Sequence, residues 1–108
     1  VALCLNNTGN VYQAVGDYLT AIDCHQMALM IREKNLPADH HRLAASHNNL
    51  GAVYHRMGCF DLAFEHYKVA VQINQKSLPK EHSDIMDVQR NICLLHESQA
   101  NLKIALLA

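Results

Sequence analysis

"LNNTGNVYQAVG" at residues 5–16 is followed, 42 residues on, by "HNNLGAVYHRMG" at residues 47–58. Placing residues 1–42 on 43–84 without a gap keeps Asn6/Asn48, Asn7/Asn49, Gly9/Gly51, Val11/Val53, Tyr12/Tyr54 and Gly16/Gly58. It also keeps Ala2/Ala44, Ala21/Ala63, Ala28/Ala70, Ile31/Ile73, Lys34/Lys76, Leu36/Leu78, Pro37/Pro79 and His40/His82. Unrelated stretches of this length would share about two or three residues, and similarity at a fixed period marks a stacked array. The chain therefore reads as one array, with a first repeat at 1–42, a second at 43–84 and a partial third at 85–108. The third keeps Asn91 and small Cys93 but has His96 for Tyr and Ala100 for the terminal Gly. The start inside a repeat and the end partway through a helix lead to the expectation of a fragment of a longer protein.

Each repeat reads as two helices. Leu5, Thr8, Gly9 and Tyr12 recur at three- and four-residue steps, as do Leu50, Gly51 and Tyr54, which is one packed helical face. Gly16 and Gly58 have the place of a C-terminal stop, and a second helix is expected from Asp17 or Cys59. Its inner face reads as Tyr18, Ala21, His25, Ala28, Leu29 and Ile31, matched by Phe60, Ala63, Tyr67, Ala70, Val71 and Ile73. "LPADH" and "LPKEH" end the second helices, because proline disfavours helix in the residue before it. The expected class is all-α, a superhelical solenoid of antiparallel helix pairs.

Composition narrows the function. The 108 residues carry nine Lys and Arg against ten Asp and Glu, a formal charge of -1. That balance lacks the electrostatic footprint of a nucleic-acid binder. No apolar run approaches the roughly 18 residues of a membrane span, and "VALCLNN" has no secretory signal pattern. A soluble cytoplasmic protein is expected, with neither nucleic acid nor membrane as partner. Cys4, Cys24, Cys59 and Cys93 are too widely spaced for a chelate or a dense disulfide framework, and Cys93 falls in the small-residue slot of Gly9 and Gly51.

Eight histidines raise the question of metal. His40, His41, His47 and His55 do not share a helical face with carboxylates or thiols, whereas a site needs three or four convergent ligands. His40 and His82 recur in register and read as linker residues that cap the helix or pack under the turn. No metal or other cofactor is expected. Neither a G-x-S-x-G elbow nor a phosphate-cradling loop is present, and no catalytic residue is assigned.

The residues that repeat, together with spaced alanines on the second helix, resemble the tetratricopeptide repeat. The 42-residue period, the "NNLGAVY" segment, the spacing of Ala70, Ile73, Lys76 and Leu78, and the "LP-x-(D/E)-H" link resemble the kinesin light chain subtype. The resemblance implies a protein–protein adaptor whose first helices line a concave groove, with a cytoskeletal association in the cell. It also implies that Asn7, Asn49 and Asn91 grip the backbone of an extended peptide. A carboxamide both donates and accepts, which matches a main chain that offers both kinds of group.

Helical spacing adds Asn6, Asn10, Gln13, Asn48, His55, Arg56, Arg90 and Leu94 to the groove. Arg56, Arg90 and His55 then point to an acidic linear motif. The alternative is a structural or self-associating segment of a larger protein whose activity lies outside this chain, in contact with neighbouring repeats.

Overall fold

The computed structural model describes residues 2–37, 40–77 and 83–107. They form five α-helices: α1 Ala2–Ala14, α2 Tyr18–Asn35, α3 His41–Met57, α4 Phe60–Ser77 and α5 Ser83–Leu107. Consecutive helices pack as pairs, α1 with α2 and α3 with α4, and α3 and α5 lie against the preceding α2 and α4. The expected all-α array is what the chain forms. Leu78, Pro79 and His82 lie outside the described residues.

The helix ends follow from local chemistry. Gly16 and Gly58 have φ of +88° and +82°, a region that costs an L side chain steric strain. In each turn the glycine N–H bonds the Gln13 or His55 carbonyl, and the next N–H reaches back to Tyr12 or Tyr54 at 2.9 Å. This reciprocal closure satisfies carbonyls that the helix leaves open. Asp17 caps α2, accepting from the Thr20 N–H at 3.3 Å and hydroxyl at 2.8 Å. Leu36, before Pro37, is extended at φ −127° and ψ 151°, as proline requires. His40 caps α3 through Nδ1, which accepts from the Arg42 N–H at 3.1 Å.

The third repeat departs at Ala100. Ala stands where the other copies have their left-handed Gly, and it favours helix more than any other residue. Accordingly α5 runs unbroken for 25 residues. Its last turns carry Leu102, Ile104, Leu106 and Leu107 exposed.

Two apolar clusters hold the array. One joins Ala21 and Ile22 of α2 to Leu50 and Val53 of α3. The other joins Ala44, Ala63, Tyr67, Ala70, Val88 and Leu95 across α3, α4 and α5. The repeated glycines explain the close approach of helices within a pair. A Cβ on Gly9 would lie 2.8 Å from the His25 ring, and one on Gly51 would lie 2.7 Å from the Tyr67 ring. Cys93, in the same register, is exposed, since α5 has no following helix among the described residues to cover it.

Of the expected inner face, Ala21, His25, Ala28, Ala63, Tyr67 and Ala70 are buried, while Tyr18, Leu29, Ile31, Phe60, Val71 and Ile73 are half-buried. Two buried polar positions were not on that list: Arg32 and its register equivalent Asn74.

Candidate functional site

The first helices of the repeats, α1, α3 and α5, face one side of the array. Between them lies an open groove of about 900 Å³. Gln13, Ala52, His55, Arg56, Asn91, Leu94 and Ser98 line it, with Phe60 and Tyr67 at its back and Asn101 and Leu102 at its far end. Two polar rungs tie α3 to α5 beside the groove. Asn91 donates through Nδ2 to Asn48 Oδ1 at 3.0 Å, and His55 Nε2 and Ser98 Oγ are 2.9 Å apart. The rungs are seven residues apart on each helix, two turns or about 10 Å.

The groove residues read from sequence divide. Gln13, His55, Arg56, Asn91 and Leu94 line the groove. Asn7 and Asn10 are exposed on α1 without lining it, and Asn49 is half-buried. Of the three asparagines in one register, Asn91 lines the groove. Contact between α3 and α5 pairs residues 43 apart, not 42, so Asn91 meets Asn48 and not its register equivalent Asn49. Arg90 turns to Asp87, with Nη2 3.2 Å from the carboxylate.

Asn6 requires a correction. Only 4% of it is exposed, because it lies between α1 and α2 and serves the interior. Arg32 presents donors only, so the Asn6 amide oxygen faces the guanidinium and accepts from Nη1 and Nη2 at 2.8 and 2.9 Å. The Asn6 amide nitrogen then donates to His25 Nδ1 at 3.0 Å. His25 is thereby the tautomer with its proton on Nε2, a buried atom with no hydrogen-bond partner against Gly9. Burial, and next the Arg32 charge, push the His25 pKa below its ordinary value, consistent with a neutral ring. Arg32 continues into the next repeat, donating to the Arg42 carbonyl at 2.9 Å and to Ser46 Oγ at 3.0 Å. Mid-helix Asn and Arg at inward positions were the available signal, but sequence alone did not pair them.

A second polar stack sits between α3 and α4. His47 Nδ1 and His66 Nδ1 are 3.1 Å apart, and the His66 ring lies nearly parallel to Tyr54 at 5.5 Å. One nitrogen of the close pair must donate and the other accept. Burial, and then the charge of His66, hold His47 down at about 4. His55, the groove histidine, is lowered by burial and by Arg56. The positive charge of the groove at neutral pH accordingly resides on Arg56. Among the described residues no three His, Cys, Asp or Glu side chains converge as a metal site would need, and no helix is long and apolar enough to cross a membrane.

A family model described as "Tetratricopeptide repeat" matches residues 1–76. The chain belongs to the tetratricopeptide repeat family. Such repeats generally mediate protein–protein interactions and are generally non-catalytic. No curated protein matches the chain.

Proposed function

We propose that this tetratricopeptide repeat chain is an adaptor that holds an extended segment of a partner protein in the groove between α1, α3 and α5. The observation that carries the reading is the groove itself. It is broad and open, backed by Tyr67 and Phe60, and lined by amide, imidazole and guanidinium groups on three rigid helices. Packed helices lie about 8–10 Å apart and an extended chain advances about 3.3–3.6 Å per residue. Each step to the next first helix therefore spans about three peptide residues.

Arg56 is exposed at the groove, which supports a carboxylate on the partner, and Leu94 offers an apolar contact. An acidic motif, the kinesin light chain-like subtype and a cytoplasmic site of action belong to this proposal. Asn91 has one donor committed to Asn48, so its remaining groups and Gln13 are the amides offered to a peptide backbone.

Peptide-display selection on this chain, beside an Arg56→Glu, Leu94→Asp variant verified as folded by circular dichroism, tests the reading. Peptides enriched by the parent and lost on the variant support the groove. Equal enrichment on both places any binding elsewhere and overturns it.

A second reading has its own observation. Val11 is 63% exposed, while its equivalents Val53 and Leu95 are completely covered, the one by α2 and the other within the cluster that α4 forms with α5. The outer face of α1 thus suits another helix of the same kind, which supports the reading of a structural segment stacked on neighbouring repeats.

A further inference from the structure

Arg32 and Asn74 occupy the same place in successive repeats, and the difference between them leaves a space. In the first repeat the guanidinium of Arg32 fills a polar site between three helices, held by Asn6 Oδ1, Ser46 Oγ and the Arg42 carbonyl. Moving 42 residues along, Asn48 stands for Asn6, Asn74 for Arg32, Val88 for Ser46 and Asp87 for Ala45. The shorter Asn74 side chain cannot extend as Arg32 does. Between α3, α4 and α5 there is a cavity of about 110 Å³ lined by His41, Ala45, Asn48, Asn74, Asp87 and Val88. One water needs about 10–15 Å³ of such space, so the cavity admits a larger group.

Its chemistry is selective. Asn74 is 3% exposed, and its Oδ1 has no hydrogen-bond partner. A buried amide oxygen without a donor is costly, and Asn74 is among the residues that line the cavity. Asp87 adds a carboxylate where the first repeat has a methyl group. An anion would meet Asp87 and be repelled, whereas a planar cation with several donors would satisfy both side chains.

We infer that this cavity is a binding site for the guanidinium of an arginine side chain presented by a partner, occupying in the second repeat the position that Arg32 fills in the first. The identity of the carrier, a protein segment, rests on the groove reading, and the site lies beyond the Asn48–Asn91 rung from the main groove. Arg90 competes at the mouth through its 3.2 Å contact with Asp87, yet both side chains are more than half exposed. A surface pair of that kind contributes little and yields to a better-held guanidinium.

The test is a titration of the isotopically labelled chain with N-acetyl-arginine amide, followed by nuclear magnetic resonance. The neutral isostere N-acetyl-citrulline amide and N-acetyl-lysine amide serve as controls. The expected result is saturable shifts at Asn48, Asn74 and Asp87, with both controls at least about tenfold weaker because they lack the charged fork. Asn74→Arg should abolish the response by filling the cavity from within. Asp87→Asn, an exposed change that does not threaten folding, should weaken it, and Arg90→Ala should strengthen it.

No saturable shift at these three residues, equal response to citrulline or lysine, or an undiminished response in Asp87→Asn overturns the assignment. Peptide binding read at His55, Leu94 and Ser98 reports on the groove separately. Loss of the arginine response with peptide binding retained rejects this site alone, and the converse rejects the groove alone.

Discussion

Asn91 donates to Asn48 at 3.0 Å across the seam between α3 and α5. A side chain whose register led to the expectation of a ligand contact is a joint between helices. Together with the His55–Ser98 contact at 2.9 Å, it fixes the spacing of two helices that otherwise touch little, because each is held chiefly by α4. The groove wall is thus set by polar rungs over an apolar support.

Breaking either rung should loosen α5 without unfolding the first repeat. Asn48→Ala and Asn91→Ala are each expected to cost about 1 kcal/mol, and the double variant little more than either single one. Urea unfolding of the four-member cycle measures the coupling. Additive effects would mean that the two amides contribute independently.

Two kinds of glycine separate cleanly. Gly58→Ala is expected to cost about 1 kcal/mol, through the left-handed backbone alone, since no atom lies within 4 Å of the added Cβ. Gly51→Ala should cost more, about 2–3 kcal/mol from overpacking, because the added Cβ meets the Tyr67 ring at 2.7 Å and Tyr67 is fully buried. Thermal unfolding monitored by circular dichroism ranks the two. Equal losses would show that the Tyr67 side chain moves aside freely.

Arg32 should be among the costliest polar residues to remove. Arg32→Ala leaves the Asn6 oxygen, Ser46 and the Arg42 carbonyl without their donor, an expected loss of about 2–4 kcal/mol. Arg32→Lys keeps the charge but not the planar fork and should recover only a minor part. The check is the urea midpoint of both variants, and full recovery by Lys would refute a requirement for the guanidinium geometry.

Stability should fall on acidification through the buried histidines. His47 is held at about 4, below the ordinary histidine value near 6.5, and His25 and His66 are displaced in the same direction, mainly by burial. The unfolded chain takes up protons below about pH 6.5 that the folded chain refuses. The stabilisation is complete above that pH and is lost as pH drops toward 4. For His47 the contribution is on the order of 1 kcal/mol after allowance for solvent screening. Urea midpoints measured across this window should drop, and His47→Gln should flatten part of the slope. A midpoint constant from pH 7 to pH 4 would contradict the neutral state of these rings.

Much of the architecture is local and hence visible in one dimension. The 42-residue period, the left-handed glycines, the proline after α2 and the alanines that let helices approach all act within a few residues of themselves. They gave the helix pairs and their ends. Helical spacing also carries a face from one turn to the next, and Gln13, His55, Arg56, Asn91 and Leu94 line one cavity.

What the tertiary structure decided lies where side chains from different helices meet. A helical residue turns about 100° per position, so the one-residue offset in the contact between α3 and α5 decides that Asn91 meets Asn48 and not its register equivalent Asn49. Asn6 reads as a groove amide until Arg32 arrives beside it from the next helix, when its oxygen becomes the acceptor for a buried cation. The cavity at Asn74 is likewise invisible in sequence, since it is the volume left when a short side chain replaces a long one between three helices. Periodicity along the chain specifies which face is buried; the identity of each partner across the interface depends on distances that only packing sets.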